Sequence, residues 1–263
     1  MGVAGHEPAK PLAAADLLAL AAQHGAAGVQ FGDNLPLHRL PDSELGQLAA
    51  EARQQNLRLE TGTRRLTADN LRRYLSIAQR LGSPFLRVVI DDADYHPDET
   101  QVIAVIQSVL GDFRAAGAVL AIENHDRFPV GSLRRIIEAT DPAWVGICLD
   151  TANSLGAGEG IREVVTGLAP YTVNLHVKDF TINRVSHKMG FVVAGCPAGQ
   201  GLLNVPWVLE QLRPFGRCVS ATLEVWSNPE ETMEDTIEKE WQWAEESLRY
   251  LRTLDAFPVQ NWF

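Results

Sequence analysis

The sequence has no stretch approaching the roughly 18 uninterrupted apolar residues that a membrane-spanning helix requires, so no membrane span is predicted. Cysteine is scarce. Cys148, Cys196 and Cys218 are odd in number and form no C-x-x-C pair. Cys148 and Cys218 sit in or beside apolar runs and read as small buried hydrophobes, which suggests a reducing compartment. The N-terminal MGVAGHEPAK lacks the basic start and long apolar stretch of a signal peptide, so a cytoplasmic, soluble protein is expected. Positive charge is in deficit: 23 Lys and Arg stand against 33 Asp and Glu, for a net charge of −10. That balance opposes nonspecific attraction to a nucleic-acid backbone, without excluding a small anionic substrate in a locally positive pocket. Linkers, low-complexity tracts and internal repeats are also missing.

What is present is a regular alternation. Apolar, strand-like runs occur at 2–6, 27–32, 57–61, 85–90, 118–124, 144–150, 171–178 and 218–226. Helix-like stretches lie between them, at 12–24, 42–55, 67–81, 98–116, 131–139, 160–168, 204–212 and 230–254. Asp42, Thr67, Asp98 and Ser132 are placed to open helices, and Gly25, Gly82 and Gly117 to end them. Eight such units in 263 residues predict a single α/β domain over 1–263, a (β/α)8 TIM barrel, whose usual length is about 250 residues. On the last helix Ile237, Trp241, Ala244, Leu248 and Leu251 share the face expected to pack on the barrel. Trp243, Tyr250 and Leu254 fall on another face, which would suit a homo-oligomer contact.

Four of the apolar runs end on a residue able to bind a metal. They are VLAIENH (119–125), VGICLD (145–150), VNLHVKD (173–179) and ATLEVW (221–226), and the candidate ligands are Glu123, Asp150, His176 and Glu224. Parallel strands of a barrel bring their C-terminal ends to one face, so these groups are expected to converge on one divalent cation. Burying three carboxylates together without a cation would be electrostatically costly. The ligands are separated by 27, 26 and 48 residues. At roughly 30 residues per strand–helix unit, the first two intervals are single units and the third carries an insertion. The insertion is the polar, glycine-rich segment 179–204, expected to be a lid-like loop over the barrel mouth.

Side chains two residues apart on a strand share a face, so His125, Lys178 and Trp226 should line the same mouth as Glu123, His176 and Glu224. His6 and Glu60 are further candidates from the opposite side, and Asn153 follows the Asp150 ligand. Such a pocket suits a polyhydroxylated carbohydrate or sugar acid, with Trp226 covering an apolar sugar face. A cation across carbonyl and hydroxyl oxygens stabilises the charge that develops when a neighbouring C–H proton is removed, and a flanking carboxylate accepts that proton. Lys178 or His187 would stabilise an oxyanion or bind a carboxylate or phosphate.

IENH, CLDTAN, LHVKD and LEVW resemble the metal-binding set of the xylose isomerase-like barrel superfamily, in particular its sugar and sugar-phosphate isomerase/epimerase branch. PAGQG (197–201) resembles the glycine-rich turn of that branch. The resemblance implies one Mn²⁺, Co²⁺ or Mg²⁺, with Mn²⁺ preferred, on Glu123, Asp150, His176 and Glu224. It also implies that Glu123 and Glu224 act as acid and base on opposite faces of an enediolate. The chain departs from the pattern at Asn153, where many members have His. Arg184 lies near the position of the epimerases' loop arginine. The segment HKMGF (187–191) fits an ordinary epimerase poorly, and His187 favours an acidic substrate. Isomerase/epimerase is therefore the leading expectation, with decarboxylation or β-elimination of a 3-oxo sugar acid or oxo-glycoside as the alternative. An apurinic endonuclease, short of histidines at seven and wrongly charged, and a non-catalytic sugar-binding protein rank below both.

Overall fold

The computed structural model describes residues 8 and 10–254. Seven parallel strands form one curled sheet: β1 (Gly28–Phe31), β2 (Arg58–Arg64), β3 (Phe85–Val89), β4 (Val119–Glu123), β5 (Val145–Asp150), β6 (Thr172–Val177) and β9 (Ser220–Leu223), in that order. Two further strands, β7 (Phe180–Arg184) and β8 (Phe191–Gly195), form a separate antiparallel hairpin. The helices are α1 (Ala14–Gln23), α2 (Asp42–Gln54), α3 (Ala68–Leu81), α4 (Glu99–Ala116), α5 (Val130–Glu138), α6 (Ile161–Leu168), α7 (Val205–Leu212) and α8 (Met233–Arg252). This is a nearly closed TIM barrel. The run expected as a strand at 2–6 lies outside the described residues. Between β1 and β9, flanked by α1 and α8, is a cavity of about 260 Å³ bordered by Leu20, Val29, Ala221, Trp241, Ala244 and Leu248.

The helices follow the expected starts and stops closely. Asp98 and Gln101 exchange hydrogen bonds at the start of α4, each side chain accepting from the other's backbone N–H at 2.8 and 2.9 Å. Gly82 and Gly117 end α3 and α4 at φ of 72° and 65°, a left-handed conformation that costs glycine little. Leu71, Tyr74, Leu75, Ala78 and Leu81 recur at helical spacing on α3 and are buried. On the strands, Leu120 and Ile122, Ile147 and Leu149, and Leu175 and Val177 join the large apolar core between sheet and helices. Two residues before Arg87, Glu123 and Asp150, the side chains of Phe85, Ala121 and Cys148 pack together with Val173.

Two expectations change. The segment 179–204 is no irregular loop: residues 180–195 of it form the β7–β8 hairpin, paired from Phe180↔Gly195 to Arg184↔Phe191. The alternation of FTINR and the short apolar run FVVAG were obscured by the polar residues between them at the hairpin tip. Tyr250 and Leu254 pack on the core instead of standing free for a subunit contact, because the PAGQG turn lies over that side of α8. A Cβ on Gly199 would approach the Tyr250 ring to 2.7 Å. The acidic loop residues Asp91, Asp92 and Asp94 are paired, Asp91 with Arg127, and Asp92 and Asp94 with Arg65.

Candidate metal centre

Glu123, Asp150, His176 and Glu224 meet at the C-terminal ends of β4, β5, β6 and β9. The His176 Nδ1 lies 3.0 Å from Glu224 Oε2, 3.7 Å from Glu123 Oε2 and 3.8 Å from Asp150 Oδ2. Donor atoms of Asp150, His176 and Glu224 all lie within 4.8 Å of one another, a span that ligands of one ion with bonds of about 2.1 Å can cover, and Glu123 joins the set through His176. Two of the donor atoms, His176 Nδ1 and Asp150 Oδ2, are buried and make no well-directed hydrogen bond. Buried polar atoms ordinarily find partners, and these two are aimed into the same small space. The residues present fit a hard or borderline divalent cation.

Each donor is oriented from behind. The His176 Nε2–H donates to Gln30 Oε1 at 2.6 Å, which leaves Nδ1 facing the centre. Gln30 in turn donates to Glu60 Oε2 at 3.0 Å and to Asn174 Oδ1 at 3.1 Å. Asp150 Oδ1 accepts from the backbone N–H groups of Ala152 and Asn153, both at 2.8 Å, which turns Oδ2 towards the centre. Asn124 ties β4 to β5, accepting from Asp150 N at 2.7 Å and donating to its carbonyl at 2.9 Å. Glu123 pairs with Arg87 on one oxygen, and its other oxygen accepts from Asn153 Nδ2 at 2.8 Å.

Lys178 sits inside this ring of carboxylates. Its Nζ is 3.0 Å from both Asp150 Oδ2 and Glu224 Oε1, and 3.4 Å from Asn153 Oδ1. Thr151 fixes its backbone through bonds of 2.9 Å to both its N–H and its carbonyl. Burial works against the Lys178 charge, but Asp150, Glu224 and Glu123 outweigh it and hold the ammonium protonated. Burial also raises the Asp150 carboxyl, which Lys178 only partly offsets. Against the same burial, His176 and Lys178 draw the Glu224 carboxyl well below the usual range. The side chain of Glu224 is 39% exposed and that of Glu123 1%, so the two glutamates face different surroundings.

The other sequence candidates are distributed differently. Glu60 is buried behind His176 in the Gln30 chain and does not line the mouth. His125 bonds its neighbour Asp126 at 2.8 Å and borders a surface cleft with Arg64, Asp92, His96 and Arg127. Strand alternation fails to carry it inward because β4 ends at Glu123. Trp226 donates to the Asp179 carbonyl at 3.1 Å, and its own carbonyl fills the space a Cβ on Gly195 would need. Arg184 and His187 make their contacts within the hairpin: Arg184 stacks on Phe191 and donates to the Lys188 carbonyl, while His187 accepts from Met189 N. His6 lies outside the described residues.

Four residues not singled out from the sequence support the centre: Gln30, Arg87, Asn174 and Asp179. The signal for Arg87 was a lone arginine inside the otherwise apolar run FLRVVI. Asp179 accepts four backbone N–H groups, from Phe180 and Leu203 on Oδ1 and from Gly199 and Gly201 on Oδ2. It thereby pins the PAGQG turn to the end of β6.

The profile of the xylose isomerase-like TIM barrel matches residues 18–254. The chain belongs to that family. Within it, this barrel is 32% identical over 247 residues to the 3-oxo-isoapionate decarboxylase of Pectobacterium atrosepticum, covering 94% of this chain and 90% of that one. The xylose isomerase-like barrel protein of Mycobacterium smegmatis, solved in complex with magnesium, superposes with a TM-score of 0.70 at 15% identity over 94% of this chain and 90% of its own. The D-psicose 3-epimerase of Clostridium cellulolyticum, solved with D-tagatose, gives 0.70 at 16% identity over 90% and 92%. The xylose isomerase-like chain described here is an enzyme of this superfamily, and its fold is shared with both solved structures. Among the described residues no helix is long and apolar enough to cross a membrane.

Proposed function

We propose that this enzyme is a divalent-metal-dependent decarboxylase of 3-oxo sugar acids. The observation that carries the reading is Lys178, a protonated ammonium 3.0 Å from two of the four candidate ligands. Its support is the decarboxylase relative that spans almost the whole chain.

In a 3-oxo acid the carboxylate is β to a carbonyl. Breaking the C1–C2 bond releases CO₂ and sends its electron pair towards the 3-oxo oxygen as an enolate forms. A divalent cation on Glu123, Asp150, His176 and Glu224 supplies the Lewis acidity that polarises this carbonyl. Lys178 is placed to neutralise charge developing beside those carboxylates and then to protonate C2, which completes the ketose. Asn153 Oδ1, 3.4 Å from Nζ, orients the ammonium and is available to a substrate hydroxyl. Loss of CO₂ needs one proton donor. Epimerisation needs a proton taken from one face and another returned to the opposite face.

Isomerase or epimerase chemistry is the second reading, favoured by the greater exposure of Glu224 at the mouth. Incubating Mn²⁺-loaded protein with 3-oxo sugar acids and with ketoses, followed by carbon and proton NMR, separates the two. The expected result is stoichiometric CO₂ and a ketose one carbon shorter. Exchange of a ketose C–H with carbon count conserved overturns the decarboxylase reading in favour of the second.

A further inference from the structure

Glu123 and Glu224 occupy equivalent strand-end positions, yet their surroundings differ in kind. Arg87 is only 7% exposed, on β3 next to β4. Its Nε donates to Glu123 Oε2 and its Nη1 to Asp33 Oδ1 at 3.2 Å, so the guanidinium plane is fixed at two points. Its stem crosses Gly62 on β2, where a Cβ would stand 2.9 Å from Arg87 Cδ, closer than any side chain tolerates. Gly62 is thus the space Arg87 needs to reach the centre. On the far side of the carboxylate, Asn153 Nδ2 donates to Oε1 at 2.8 Å. Both Glu123 oxygens are engaged from behind, and a carboxylate oxygen so held keeps lone-pair capacity for an ion but little freedom to turn towards carbon. Among the described residues, the Glu224 carboxylate is held by the two groups that face it across the site, His176 and Lys178.

We propose that Arg87 is a positioning residue that, together with Asn153, dedicates Glu123 to holding the cation and leaves the Lys178–Glu224 side as the one face from which a proton reaches substrate carbon. Asn153 is then a part of the lock. The stereochemical part of this inference rests on the decarboxylase reading; the metal-holding part does not.

The test begins with Mn²⁺ titration of metal-free protein, read by the electron paramagnetic resonance of the free ion. Arg87→Gln is expected to weaken Mn²⁺ binding about 10- to 100-fold, with partial recovery in Arg87→Lys. Because a buried arginine can be needed for folding, Asn153→Ala is titrated in parallel and is expected to weaken binding in the same direction. Wild-type Mn²⁺ affinity in folded Arg87→Gln and Asn153→Ala overturns the lock. The second measurement is decarboxylation by the wild type in D₂O, expected to give one deuterium at the former C2 in a single configuration. A racemic label, or label delivered to both faces, overturns the one-sided arrangement. If no 3-oxo acid turns over, the function proposed above fails, while the Mn²⁺ titration still decides whether Arg87 and Asn153 hold Glu123.

Discussion

The His176 ring and the Gln30 amide, 146 residues apart in sequence, form the hydrogen bond that fixes which imidazole nitrogen faces the centre. Gln30 is on β1 and His176 on β6, so the bond crosses the barrel interior. Because the Gln30 amide nitrogen is committed to Glu60 and Asn174, its oxygen must accept, and His176 must carry its proton on Nε2. Replacing Gln30 by Met removes that acceptor without changing volume much. Divalent-metal affinity is then expected to fall about 10- to 100-fold with little change in circular dichroism. Isothermal titration with Mn²⁺ checks it, and wild-type affinity would show that Gln30 plays no orienting part.

Lys178→Met keeps the buried stem and deletes the ammonium. Loss of a positioned proton donor is expected to lower kcat by about 10² to 10⁴. Metal binding should be as tight or tighter, since the ammonium no longer competes for Asp150 and Glu224. Steady-state rates at saturating Mn²⁺ provide the measurement, and turnover at the wild-type level would remove Lys178 from the chemistry.

Metal loading should also be visible without any substrate. Three carboxylates converge at the centre, and an ion that binds only the folded chain stabilises it by about 2.7 kcal/mol at a hundred times its dissociation constant. The melting temperature is therefore expected to rise with Mn²⁺ concentration and to fall on chelation. In Asp150→Asn that dependence should weaken sharply. A melting temperature insensitive to Mn²⁺ across that range would argue against a cation at this place.

The Asp179 carboxylate organises the turn that closes the end of the barrel, so its removal should cost stability more than chemistry. Asp179→Ala strands four backbone donors and is expected to destabilise by on the order of 3 kcal/mol. Gly201→Ala tests the same packing from the other side, because its Cβ would lie 2.2 Å from Asp179 Oδ1 and 2.4 Å from the Phe180 carbonyl. Chemical denaturation of both variants measures the loss. Midpoints unchanged from wild type would mean the turn is held by something else.

The hairpin shows where pattern reading stopped short. Segment 179–204 was legible as an insertion from the 48-residue interval between His176 and Glu224, but its internal pairing was not, because β7 and β8 are short and flank the polar HKMG tip. The hairpin leaves Ile182, Phe191, Val192 and Val193 substantially exposed. Arg184 and His187 moved away from the centre for the same reason, since the hairpin keeps their contacts to itself.

The helix and strand order, and the four strand-end donors, followed from the linear sequence alone: apolar periodicity sets the element, and parallel strands in a barrel must present their C-terminal ends together. Which groups stand behind those donors was decided only by the tertiary structure. Arg87, Gln30, Asn174 and Asn153 act through contacts between strands and loops that are far apart in sequence, and no local spacing encodes such contacts. The unequal roles of Glu123 and Glu224 have the same origin, because two identical side chains in equivalent positions differ only through the neighbours that folding brings to them.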